Sequence, residues 1–238
     1  MSTHPTGGWP EGVTLHRAVR SYVVRGGRIT EAQERALGLL WPKYGIAFES
    51  GRLDLDAVFG RHAPRSVEIG FGNGDNLAAL AAAHPERDYL GIEVHRPGVG
   101  RLLLRLETAG LRNGRIICHD AVEVLDRQIA TGVLDEVLIL FPDPWPKKRH
   151  HKRRLIQGSF VELVADRLRP GGVLRVATDW QPYAEYALEV LNACPRLRNL
   201  SADQSFIPRP AERRPTRFEV RGERLGHEVW DLAFMREP

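Results

Sequence analysis

A carboxylate and an indole set among alternating prolines, followed at once by a dense group of cations, form the stretch best suited to chemistry. Phe141-Pro142-Asp143-Pro144-Trp145-Pro146 runs directly into Lys147-Lys148-Arg149-His150-His151-Lys152-Arg153-Arg154, six cationic side chains in eight residues. A carboxylate accepts hydrogen bonds from the N–H edge of a purine, and an indole stacks on its face. The eight basic residues include no apolar position, so they cannot be one face of a buried helix and must meet water or a polyanion. Together they suggest a site for a flat polar ring beside a grip for phosphates. Plainer readings are a rigid connector with Trp145 packed inward, and a solvated cluster of cations.

A second constellation is acidic. Glu68-Ile69-Gly70-Phe71-Gly72-Asn73-Gly74-Asp75 falls between an apolar run and a helical one, so Gly70 and Gly72 let the backbone turn tightly and approach a ligand. In a dinucleotide-binding fingerprint the third glycine would fall at 75, where the chain has Asp75. An acid at that helix start repels a pyrophosphate, which disfavours a nicotinamide-dependent dehydrogenase and favours the phosphate-free cofactor S-adenosyl-L-methionine. Glu93 and Asp120 end the next two strand-like runs. Since strand ends line the ligand crevice of a parallel sheet, Glu68, Glu93 and Asp120 should converge there. Glu93 suits the ribose hydroxyls and Asp120 an adenine amine, although any one of the three could instead be a helix cap.

Other positions carry weaker signals. Thr178-Asp179-Trp180 places an acid and an aromatic at the end of a later strand, and Pro215-Thr216-Arg217-Phe218-Glu219 is as readily a strand entry as a site. His227 reads as structural. No spacing of His, Cys or Asp suggests a metal site.

The elements that must position these residues alternate from Val67 onward, as in successive βαβ units. Strands are predicted at 67–69, 89–94, 115–119, 137–141 and 173–178. Helices are predicted at 76–83, 98–109, 121–130, 156–168 and 184–192, with Leu102, Leu103 and Leu106 an apolar stripe on the second. Pro142 forces the fourth strand to stop at Phe141, so the loop must leave the sheet at its ligand-bearing edge. Pro170-Gly171-Gly172 reads as a turn, and 218–234 as a hairpin turning near Gly222 and Gly226. Before the core, helical periodicity covers Glu31 to Leu40, Trp41-Pro42 ends it, and Gly51 to Pro64 reads as a connector. The expected organisation is a disordered tail over 1–17, a partly helical extension over 18–50 and one domain over 51–238.

At 238 residues and 42% hydrophobic content the chain can bury one large core. Its net charge is only +4 although the pI is about 9.3, so the basic character is local and points to a specific anionic partner. Cys118 and Cys194 lie far apart, as in a reduced cytosol. No run approaches the roughly 18 apolar residues of a membrane span. The expectation is a cytoplasmic protein with no membrane and no metal, monomer or homodimer.

The glycine motif, Gly91-Ile92-Glu93-Val94-His95, Phe141 through Leu155, Ala177-Thr178-Asp179-Trp180 and Thr216-Arg217-Phe218-Glu219 together resemble the bacterial tRNA (guanine-N7-)-methyltransferase family. The resemblance extends from about Arg20 to Phe234, taking in Arg28-Ile29-Thr30 with Gln33, and Gly226-His227 with Asp231. The glycine motif is common to many methyltransferases, whereas the proline loop with its basic run is specific. The resemblance implies a class I S-adenosylmethionine-dependent methyltransferase fold, an α/β Rossmann-like, seven-stranded, mostly parallel sheet with a reversed last strand and helices on both faces. It implies S-adenosyl-L-methionine as donor and the variable-loop guanosine of tRNA, conventionally position 46, as acceptor. It assigns Glu68, Glu93, Asp120 and Asp143 to the cofactor site, with Asp143 also catalytic. Lys147, Asp179 and Thr216 to Glu219 go to substrate, and Arg149 to Arg154, with His150 and His151 between, to RNA contact. A catalytically silent RNA-binding module, or a methyltransferase acting on another RNA base, are the alternatives.

Overall fold

In the computed structural model, residues 22, 28–211, 213, 219 and 228–238 are described. The expected tail over 1–17 lies outside them, as do Thr216, Arg217, Phe218, His227 and the turn of the expected hairpin. The βαβ alternation appears as strands β2 (Arg65–Ile69), β3 (Asp88–Ile92), β4 (Gly114–Ile117), β5 (Leu134–Leu140) and β6 (Leu168–Thr178), separated by helices α4 (Asp75–Ala83), α5 (Arg96–Thr108), α6 (Ala121–Arg127) and α7 (Gly158–Arg167). Helix α8 (Gln181–Asn192) and strands β7 (Leu197–Asn199) and β8 (Trp230–Arg236) complete the core. Ahead of it come α1 (Glu31–Leu39), α2 (Trp41–Tyr44), β1 (Gly45–Ile46) and α3 (Leu55–Phe59).

All eight strands join one sheet in the order β1-β4-β3-β2-β5-β6-β8-β7. The last strand, β8, runs antiparallel to both β6 and β7, and the remaining pairings are parallel. The expected seven strands are therefore present, and the eighth is a two-residue edge strand contributed by the extension, too short to leave a sequence pattern. β3 is buried along its whole length, because helices cover both faces and a parallel strand in that position is apolar on both sides. α1, α2, α4 and α5 pack against Tyr89 and Ile116 on one face. α3, α6, α7 and α8 pack against Leu90, Ile92 and Ile117 on the other.

Several local expectations change. Helix α1 stops at Leu39, at the expected break before Trp41-Pro42, but Pro42 then sits in the first turn of a short α2, where its missing N–H costs nothing. The connector contains α3, started by the Asp54 side chain and stopped by Gly60 at φ 71°. Pro170-Gly171-Gly172 is carried inside β6 as an irregularity, with Leu168 paired to Leu134 and Val173 to Glu136.

Candidate active site

The glycine loop follows β2 and turns into α4 with Gly70, Gly72 and Gly74 at φ 70°, 57° and 71°, a region that side chains with a Cβ rarely enter. Gly98 serves the loop differently, by close approach: a Cβ there would lie 2.0 Å from the Gly72 carbonyl oxygen. The start of α5 is thereby pressed against the loop.

Glu93 leaves the end of β3 and is nearly buried. Its carboxylate accepts hydrogen bonds from the backbone N–H of Gly72 at 2.9 Å, Val94 at 2.7 Å and His95 at 2.9 Å. Glu68 is 4% exposed and accepts from Asn76 Nδ2 at 3.0 Å. Burial pushes its carboxyl up to about 8, against the opposing pull of the Asn76 hydrogen bond. Asp120 is the N-cap of α6, accepting from Val122 N–H at 2.8 Å and more weakly from Glu123 N–H. Its neighbours His119 and Ala121 line a cavity while its own carboxylate is committed to the helix start.

The proline loop leaves β5 through a strained turn. Phe141 and Trp145 have φ of 53° and 45°, left-handed values that cost an aromatic residue on the order of 1–3 kcal/mol and cluster at functional sites. Asp143 is exposed between them. Two adjacent cavities meet here, sharing Gly70, Leu140 and Phe141 as walls. The larger, about 1020 Å³, is lined by Glu68, Gly72, Asn76 and, from α5, Arg101 and Arg105. The smaller, about 240 Å³, is lined by Tyr22, Glu93, His119 and Asp143. The structure thus gathers Glu68, Gly70, Gly72, Glu93 and Asp143, with Asp120 at the margin.

The basic run forms a 3-10 helix over Lys148–Arg153. Lys147, Lys148, Arg149 and Lys152 are exposed, while His150, His151 and Arg153 are half-buried. Trp145 braces this turn: His150 meets its ring edge-on at 5.7 Å and the Arg153 guanidinium lies 5.2 Å from its centroid. Arg154 is packed differently from its neighbours. It is 5% exposed, donates from Nε to the Pro144 carbonyl at 3.1 Å, and rests over the rings of Tyr183 and Tyr186. Its packing fixes the proline loop to α8.

Asp179 follows the end of β6, half-buried, outside both cavities. Glu219 is also buried, at 1% exposed, and its two oxygens accept from Arg213 at 2.6 and 2.9 Å and from Arg209 at 3.3 Å. Arg213 simultaneously grips Asp231 of β8 at 2.7 and 2.8 Å and lies 5.8 Å from the Phe141 ring centroid. This buried network ties β8 to the base of the proline loop. Sequence reasoning missed Arg213, because nothing local distinguishes it from Arg214, and missed Asn76, whose one signal was a polar residue just after the glycine loop.

Among the described residues, no group of His, Cys, Asp or Glu could hold a metal ion, and no helix is long and apolar enough to cross a membrane.

Core strands in the order β4-β3-β2-β5-β6-β8-β7, with β8 reversed and an acid-rimmed glycine loop after β2, define a class I methyltransferase. Solved structures share this fold at low identity. A 16S rRNA methyltransferase, KamB, aligns at TM-score 0.52 and 16% identity, covering 80% of this chain and 96% of that one. A 16S rRNA (adenine(1408)-N(1))-methyltransferase variant from Catenulisporales acidiphilia aligns at TM-score 0.53 and 15% identity, covering 80% and 98%. The model of a family described as "Putative methyltransferase" matches residues 62–232. The tRNA (guanine-N(7)-)-methyltransferase of Pseudomonas fluorescens Pf0-1 is 57% identical over 219 residues, 92% of this chain and 91% of that protein. The protein of the same name from Pseudomonas putida KT2440 is 54% identical over 233 residues, covering 98% and 97%, and that from Leifsonia xyli is 57% identical, covering 92% and 96%. The chain belongs to the tRNA (guanine-N(7)-)-methyltransferase family.

Proposed function

We propose that the protein transfers a methyl group from S-adenosyl-L-methionine to N7 of guanosine 46 in the variable loop of tRNA, in the cytoplasm. The observation that carries this reading is the shared wall of Gly70 and Phe141. It sets Glu68 and the glycine loop in one cavity and Glu93 with Asp143 in the other. We assign the catalytic domain to 51–238 and treat 18–50 as an extension, whose α1 packs against α5.

The residues present fit this donor. A Cβ built at Gly70 or Gly72 would meet open space, so the loop backbone faces room for a ligand. Glu68, Glu93 and Asp75 gather three carboxyl groups around that room, which disfavours a phosphate-bearing cofactor and suits a phosphate-free one. Glu68, Gly70, Gly72, Glu93, Asp120 and Asp143 would hold it. When bound, S-adenosyl-L-methionine supplies a methyl group made electrophilic by its sulfonium.

Guanine N7 carries an in-plane lone pair and no proton, so the chain need not provide a base to expose the nucleophile. Its residues instead align the ring, a contribution worth up to roughly 7–11 kcal/mol in favourable cases. Asp143 accepts from the N–H edge of guanine and stabilises the positive charge that the ring acquires. Lys147, Asp179 and the segment Thr216 to Glu219 complete the substrate site. Arg149, His150, His151, Lys152, Arg153 and Arg154 contact the RNA backbone, offsetting the few kcal/mol needed to draw the base from its tertiary contacts.

Incubation of unmodified tRNA with the protein and donor, followed by nucleoside analysis, tests the reading. 7-Methylguanosine should form, and should disappear when guanosine 46 is replaced by adenosine. Methylation of another base would favour an enzyme of different RNA specificity, and tRNA binding without methylation a silent RNA-binding module.

A further inference from the structure

The loop after β6 presents an aromatic ring to solvent. Among the described residues, Trp180 is the only phenylalanine, tyrosine or tryptophan that is exposed, at 41%. Its backbone is held: the N–H donates to Thr178 Oγ1 at 3.3 Å, and the carbonyl starts α8 by accepting from the N–H of Tyr183 at 2.9 Å and of Ala184 at 3.0 Å. The indole itself has no hydrogen bond or ring contact among the described residues. Singly exposed apolar side chains such as Leu39 and Leu200 are ordinary, so what sets Trp180 apart is its place. β5 and β6 pair Leu140 with Ala177 in parallel, and the Phe141 N–H donates to the Ala177 carbonyl at 2.8 Å. Asp143 and Trp180 each follow that pair by three residues, at the same end of strands that run about 4.8 Å apart. The first turns of α8 also hold the end of the basic run: Tyr183 and Tyr186 carry the Arg154 guanidinium over their rings at 5.2 and 4.6 Å. Yet Trp180 lines neither cavity of the site, so it is placed for a ligand that extends beyond both.

We propose that Trp180 is an RNA-binding residue whose indole stacks on an unstacked base next to the target guanosine, while Asp143 addresses the target itself. The proposal rests on the tRNA reading above. A guanine drawn out of its stack leaves a neighbouring base with an uncovered face, and an exposed indole is a flat apolar surface that covers such a face whatever the base. The exposed Lys147, Lys148, Arg149 and Lys152 hold the same strand by charge. An indole neutralises no phosphate, so its contribution differs from theirs in being insensitive to counterion release.

Titration of unmodified tRNA into wild type, Trp180→Phe and Trp180→Ala tests the assignment. Trp180→Ala should bind roughly five- to hundredfold more weakly, the scale of one base–aromatic stack, and Trp180→Phe, with its smaller ring, should fall between. Both variants should keep the wild-type salt slope, and their affinity for S-adenosylhomocysteine should stay within about twofold. Of two tRNAs carrying an abasic nucleotide on one or the other side of guanosine 46, one should weaken wild type as much as Trp180→Ala does and weaken Trp180→Ala no further. Acrylamide should quench the fluorescence of free wild type more than that of Trp180→Phe, and bound tRNA should remove the difference. Unchanged tRNA affinity, a flattened salt slope, fully additive losses with both abasic tRNAs, an indole shielded from acrylamide in the free protein, or loss of fold in both variants would overturn the role of Trp180. Wild-type protein that does not bind tRNA would overturn the tRNA reading itself and this inference with it.

Discussion

Glu68→Gln should change how stability depends on pH. The wild-type carboxyl is buried and its ionisation is pushed from the ordinary 4.5 to about 8. Between those values the folded protein holds a proton that the unfolded chain releases, so stability falls as pH rises from about 4.5 through about 8 and is flat beyond. One proton corresponds to about 1.36 kcal/mol per pH unit, so wild type should lose on the order of 2–3 kcal/mol between pH 5.5 and 7.5 through this group. Gln has the same shape, carries no charge at any pH, and can donate from its amide to Asn76 Oδ1. The variant should therefore be close to wild type at pH 5.5 and more stable at pH 7.5. Urea unfolding of both proteins at each pH measures this directly, since the other carboxylates titrate alike in both and cancel. A stability difference that is the same at the two pH values would refute the reasoning and mean that Glu68 is ionised in the folded protein throughout.

Three further outcomes are expected. Asp143→Asn keeps the shape but removes the charge that stabilises the cationic ring, so single-turnover methylation at saturating donor and tRNA should slow by well over threefold; a change within threefold, under about 0.7 kcal/mol of barrier, would reduce Asp143 to a positioning residue. Replacing Arg149, Lys152 and Arg153 together with Ala should weaken tRNA binding and flatten its salt dependence by roughly 0.7–0.9 in slope for each phosphate no longer neutralised, leaving donor affinity unchanged; an unaltered slope would make the run a solvated surface. Gly98→Ala drives a Cβ into the Gly72 carbonyl oxygen, so the loop must shift. Thermal stabilisation by S-adenosylhomocysteine should then fall sharply, and full retention would show that α5 yields instead of the loop.

What could be read from the sequence was what depends on near neighbours. The glycine loop between β2 and α4, the stop of β5 at the proline loop and the stripe of Leu102, Leu103 and Leu106 follow from local periodicity and from the geometry of glycine and proline. What escaped depends on packing between distant residues. Arg154 resembles its cationic neighbours in sequence, and only the placement of Tyr183 and Tyr186 on α8 makes it a buried stacking partner. Glu219 gives no sign in the sequence of its buried pairing with Arg213, which also holds Asp231 of β8. Pro170-Gly171-Gly172 carries the composition of a turn, yet the pairing of β5 with β6 on both sides holds it within the sheet.

The two outermost strands are also the shortest, β1 with two residues and β7 with three. An open sheet offers its border N–H and C=O groups to any passing chain, and such borders template aggregation. Here β1 pairs Gly45 and Ile46 with Ile116 and Ile117 of β4, covering the apolar border of the parallel half at the moment the extension docks. The segment before the catalytic fold therefore shields that border: two residues of the extension stand where β4 would otherwise be the outer strand.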